Sequence, residues 1–95
     1  MNDVATKQKT NTTYNGWKNY ETWLVNLWLT NEECYYGQLR EIVKNFNTTY
    51  EQADELEQYV RFAVDTVDLP GLRLDLLGAA LSRVDWLEIV EGNQE

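Results

Sequence analysis

The sequence predicts an all-α fold, a compact bundle of four to five short helices with no sheet, on three observations. Apolar residues recur at helical spacing over most of the chain, and no stretch sustains the alternation of a half-buried strand. Cap and breaker residues divide the periodic runs into helix-sized pieces. Ninety-five residues allow one domain with a core that is modest relative to its surface, so the large aromatics must do much of the burying. That single domain is expected over residues 15–91, between flexible tails at 1–14 and 92–95.

Each element has its own justification. Residues 1–14 are almost wholly polar and cannot repay the entropy of being ordered. Asn15-Gly16 is a turn signal, and Asn19 is placed to cap a first helix that runs from Tyr20 to about Thr30. This helix holds Trp23 and Trp28 and follows Trp17, so three of the four tryptophans fall within twelve positions. Tyr20, Trp23, Leu24, Leu27 and Trp28 fall on one helical face, which is expected to seed the core.

Asn31 is expected to close the first helix and cap a second, roughly 32–46, whose first turn carries Glu32 and Glu33. Its inward side reads Tyr35 or Tyr36, Leu39, Ile42, Val43 and Phe46. Gly37 weakens it by about 1 kcal/mol relative to alanine unless the missing side chain permits a close approach. A capping box, Thr48-x-x-Glu51, opens the third helix, with Ala53, Leu56, Val60, Ala63, Val64 and Val67 inward and a stop near Leu69 before Pro70.

A fourth helix over 71–82 has only a thin polar side, with Leu72, Leu74, Leu76, Leu77, Ala79, Ala80 and Leu81. A helix apolar nearly all round is either central in its own domain or covered by another chain. Leu74, Leu77 and Leu81 are therefore candidates for self-association in a homodimer. Ser82 or Asp85 can cap a short fifth helix with Trp86, Ile89 and Val90 inward.

The composition excludes whole classes of chemistry. There is no histidine, which removes Ser-His, Cys-His and histidine-metal sites. The lone Cys34 reads as a small buried hydrophobe rather than a nucleophile. No glycine-rich phosphate loop, EF-hand loop or CxxC pair is present. The expectation is a protein without catalytic, metal or cofactor site. With no secretory h-region and no apolar run long enough for a bilayer, it is expected in the cytoplasm and off the membrane.

Charge is the remaining signal. The net charge is -8, and from Glu51 onward eleven acids face three arginines. Such a chain repels a phosphate backbone, so direct nucleic-acid binding is not expected. Asp54, Gln58, Arg61, Asp65 and Asp68 follow helical spacing on the side of the third helix away from its stripe, with Glu51, Glu55 and Glu57 beside them. Neighbours three or four apart on a helix lie about 5 to 6 Å apart, comparable with the charge spacing along a nucleic acid. Such a row either mimics phosphates or is simply a solvated face. In the first case Asp54, Glu55, Glu57, Asp65 and Asp68 bind the partner.

Two segments carry a resemblance. Gly16-Trp17-Lys18-Asn19-Tyr20-Glu21-Thr22-Trp23-Leu24-Val25-Asn26-Leu27-Trp28-Leu29 and Leu76-Leu77-Gly78-Ala79-Ala80-Leu81-Ser82-Arg83-Val84-Asp85-Trp86 resemble a largely uncharacterised group of short phage and mobile-element proteins. These share a GWxNYETWxVxLW-like opening and a close ending in Val-Asp-Trp or Val-Asn-Trp. Arg83 stands where the resembling proteins often carry an acid, which weakens an acidic surface there. The resemblance implies a phage setting, in which small acidic proteins often inhibit host nucleic-acid enzymes. Two expectations result. One is an inhibitor that occupies the basic nucleic-acid-binding surface of a host defence protein, as an anti-CRISPR or antirestriction factor. The other is a non-enzymatic, homo-oligomeric structural or regulatory interaction module.

Overall fold

The computed structural model describes residues 13–65 and 71–95. They form five helices: α1 (Tyr20–Asn31), α2 (Glu33–Asn45), α3 (Thr49–Asp65), α4 (Gly71–Ser82) and α5 (Trp86–Gly92). The side chains of Asp65, Leu72 and Arg73 are outside the description. The fold is all-α, with no strand among the described residues.

The chain enters through a tight turn. Tyr14 and Trp17 exchange backbone hydrogen bonds of 2.6 and 2.7 Å around Asn15 and Gly16. Both central residues have positive φ, 49° and 87°, which is the mirror-image turn that favours Asn-Gly. Asn19 then caps α1, its Oδ1 accepting from the Thr22 backbone N at 2.9 Å.

α1 turns a different face inward from the one its aromatics suggest. Thr22 and Leu29 are its buried residues and Val25 packs on the core, whereas Trp28 is 57% exposed and Tyr20 also faces out. The helix is apolar on nearly every side, so periodicity alone could not choose between faces. The choice is made by the Thr22 hydroxyl, which is held by partners at both ends of the chain. Turning it inward sends Tyr20 and Trp28 outward.

α1 passes into α2 through Glu32. Asn31, expected to act as the cap between them, is instead the last residue of α1. Glu32 is extended and supplies no side-chain cap. Its N donates to the Trp28 carbonyl at 3.2 Å while its own carbonyl accepts from the Tyr36 N at 2.8 Å, so one residue ends the first helix and begins the second. α2 buries Leu39, Ile42 and Val43. Cys34, expected to be buried, is exposed in its first turn. Gly37 faces open space, so no close approach offsets its helix-weakening effect.

The α3 capping box forms as its sequence requires: Glu51 N donates to Thr48 Oγ1 at 3.1 Å and Thr48 N to Glu51 Oε1 at 3.2 Å. Leu56 is fully buried. Beside it Gln52, a polar residue outside the predicted stripe, is buried too. Its Nε2 donates to the carbonyls of Val43 (3.1 Å) and Phe46 (2.8 Å), and its Oε1 accepts from Gln94 Nε2 at 2.7 Å. A side chain of α3 thereby supplies donors to the carbonyl end of α2. Val67 and the expected stop near Leu69 lie outside the described residues.

The core is completed by α5, which packs chiefly on α3. Asp85 caps it, accepting from the Glu88 backbone N at 3.0 Å, and Trp86, Ile89 and Val90 are buried. Of residues 92–95, expected as a tail, Gly92 ends α5 and the following residues make side-chain contacts with the domain. Asn93 Nδ2 donates to Asn26 Oδ1 at 2.9 Å, and Arg40 pairs with Glu95 at 3.3 Å.

Candidate protein-interaction site

The two segments that carry the motifs meet in space. The Thr22 hydroxyl, with its residue 0% exposed, donates to Asn19 Oδ1 at 2.7 Å and accepts from the Asp85 backbone N at 2.9 Å. Asn19 Nδ2 donates to the Arg83 carbonyl at 2.7 Å, and the Lys18 backbone N donates to Glu88 Oε1 at 2.9 Å. Arg83 pairs with Glu21 at 3.3 Å, and the Trp17 ring lies against Gly92. The cap of α1 and the cap of α5 are thus one hydrogen-bonded unit. Asn19, Glu21, Thr22, Arg83 and Asp85 are accounted for by holding the ends of the chain together.

What the fold leaves open is an apolar groove of about 290 Å³ between α1, α3 and α4, lined also by Tyr35 from the start of α2. Leu24 and Trp28 line it from α1, Tyr59 and Ala63 from α3, Leu77 from α4 and Tyr35 from α2. Tyr59 is pushed above the usual tyrosine range, first by burial and then by Cys34 and Tyr35 beside it. Phe62, 72% exposed, stands on the next turn of α3.

The residues expected to mediate self-association fall into different environments. Leu74 is exposed, Leu77 is half-buried against the core, and Leu81, 6% exposed, belongs to the core itself. All three nonetheless line one small hollow with Arg61 and Val64, and the two inner ones, Leu77 and Leu81, are on the side that attaches α4 to the core.

The acidic residues are spread around α3. Asp54 is exposed. Asp54 and Glu57 both line a shallow hollow against α5 that also holds Asp85 and Lys18. Glu57 is paired with Arg61 at 2.8 Å, so the one cation in the expected row offsets one of its acids. Glu55 lies two positions before Glu57, a rotation of about 200° around the helix, and so sits on the other flank. Asp65 ends α3 with its side chain outside the description, and Asp68 lies outside the described residues. Glu32, Glu33, Asp54 and Glu55 make no ion pair among the described residues.

The groove residues Trp28 and Leu24 are expected from the sequence in the core, as is either Tyr35 or Tyr36, and none of them at a site. The available signal was a surplus. Two helices, α1 and α4, are apolar on almost every side, and a chain this small has no interior for all of those faces.

Among the described residues no group of three or more acidic or cysteine side chains is arranged to hold a metal ion. No described helix is long and apolar enough to cross a membrane. No curated protein and no solved structure matches the chain. A family model does match, over residues 10–89, and it spans both segments that lock together as well as all four helices around the groove. The chain therefore belongs to the family of unknown function DUF7249.

Proposed function

We propose that the chain is a non-enzymatic interaction module that binds another protein in its apolar groove. The observation supporting this is Trp28, held 57% exposed on the groove wall in a domain whose core closes without it. Burying an aromatic of this size yields roughly 1.5–3 kcal/mol, and tryptophans in such positions are the common anchors of protein interfaces. A concave apolar surface bounded by helices suits a helical ligand that inserts side chains from one face. The test is a backbone-amide NMR titration with a synthetic helical peptide carrying leucines at helical spacing. Shifts should centre on Leu24, Trp28, Tyr59, Ala63 and Leu77, and Trp28→Ala should weaken binding roughly tenfold or more. Shifts confined to α5 and the outer side of α3 would sink the reading.

The expectation of a phage-type inhibitor, anti-CRISPR or antirestriction, is a second and more specific use of such binding. The observation favouring it is the convergence of Asp54, Glu57 and Asp85 on the hollow between α3 and α5. Reversing Asp54 and Glu57 to lysine should then abolish inhibition of a DNA-cleaving host nuclease while helicity stays unchanged. Unaltered inhibition would remove phosphate mimicry as the mechanism.

A further inference from the structure

The groove is apolar inside but its surroundings are not neutral. Along α1 and its C-terminal cap, Glu21, Leu24, Trp28 and Glu32 follow one another at spacings of three or four, so acids stand before and after the Leu24 and Trp28 side chains that line the groove. The two ends differ. Glu21 is held by Arg83, whereas Glu32 makes no ion pair among the described residues. Glu33 follows it at the start of α2, two residues before Tyr35, and is likewise exposed without such a pair. On α3 Glu55 precedes the groove residue Tyr59 by one helical turn and likewise makes no ion pair among the described residues. Arg40, the nearest cation along α2, lies over the Tyr36 ring and is tied to Glu95.

Resting on the groove-binding reading, we infer that the occupant is an amphipathic helix of a partner protein, with leucine-like side chains on one face and Lys or Arg beside them. The apolar face fills the groove, and the basic flank lies over Glu32, Glu33 and Glu55 at the α2 end. Charge complementarity selects this occupant over a second copy. A copy of the same chain brings a net charge of -8 towards these acids, whereas a basic flank brings the opposite charge. Glu32 and Glu33 are exposed and Glu55 is half-buried, so the pairs set specificity, association rate and salt dependence while the apolar contacts hold the complex.

Three fluorescent helical peptides test this on the unaltered chain: one with a leucine stripe flanked by lysines, one with the same stripe flanked by glutamates, and a scramble of the first. The lysine-flanked stripe should bind at least roughly tenfold more tightly than the glutamate-flanked one. Its affinity should fall as salt rises from about 0.05 M to about 0.5 M, because screening lengths shrink over that range. Changing Glu32, Glu33 and Glu55 together to lysine should invert the preference, and Trp28→Ala should weaken both striped peptides. Equal binding of the two striped peptides would overturn the basic partner while leaving the groove reading intact. Equal binding of the stripe and its scramble would overturn both. Binding of neither, together with a sedimenting dimer that Trp28→Ala dissociates, would put a second copy in the groove and overturn the partner proposed here.

Discussion

Replacing Thr22 with valine keeps the shape of the side chain and removes only its hydroxyl, which makes it a sharp probe of the joint between the two ends. The hydroxyl makes two bonds, donating to Asn19 Oδ1 at 2.7 Å and accepting from the Asp85 N at 2.9 Å, at a residue with no solvent exposure. Each such bond contributes about 0.5–1.5 kcal/mol net, and a buried donor left without a partner costs about 1–3 kcal/mol. Asp85 N is the donor that loses its acceptor, in a part-buried position. Asn19 Oδ1 still caps the Thr22 N and loses less. The expected cost is therefore about 2–3 kcal/mol, a Tm lowered by roughly 10–20 °C for a domain of this size. Thr22→Ser, which keeps the hydroxyl and loses one methyl, should cost about 1 kcal/mol. Urea unfolding followed by circular dichroism measures both. A valine variant within about 0.5 kcal/mol of the parent, or a serine variant that is the worse of the two, would refute the bridging role.

Other perturbations have equally definite outcomes. Gln52→Leu should cost about 2 kcal/mol in the same unfolding assay, because the buried carbonyls of Val43 and Phe46 lose their donor. Gly37→Ala should stabilise by about 1 kcal/mol, since a methyl there meets nothing. Gly92→Ala should destabilise instead, because its methyl would lie 3.1 Å from the Trp17 ring, and near-ultraviolet circular dichroism should register the ring moving. Tyr59 titrates higher in the fold than in the open chain, so its neutral form is the one the fold favours. Its contribution is complete below the unfolded value of 10.0 and is lost as pH rises through the folded value. Stability should therefore decline above about pH 10, and less steeply in Tyr59→Phe, as read by unfolding across an alkaline series.

Much of the fold was legible in the sequence where local chemistry decides it. The Asn15-Gly16 turn, the Asn19 and Asp85 caps, the Thr48–Glu51 box and the bounds of α4 each follow from residues close in sequence. Leu39, Ile42, Val43, Leu56, Ile89 and Val90 were legible as core because polar residues flank their stripes. The face of α1 was not, because it turns on Thr22 meeting Asp85, a contact across 63 positions that periodicity cannot register. Gln52 escaped notice for the same reason: a polar residue reads as outward until the carbonyls it serves are brought beside it. At the acidic surface the spacing gave the outward position of Asp54, but neither the pairing of Glu57 with Arg61 nor the separation of Glu55 from Glu57. The groove emerges only when helices are placed side by side.

The lock between the two ends also sets when the molecule can fold. The bonds that orient α1 reach from Asn19 and Thr22 to Arg83 and Asp85, and α3 completes its burial only against Ile89 and Val90. On a ribosome, α1 to α4 emerge before these partners exist, so the growing chain trails its tryptophan-rich stretch unsealed until residue 90 has cleared the exit. Closure joins segments more than 60 positions apart, a slow kind of step compared with forming single helices. A chain interrupted before α5 keeps every helix-forming signal of α1 to α4 and still lacks the segment that seals them. Released chains that end before Trp86 should be protease-sensitive throughout, with protection appearing all at once in chains that include α5.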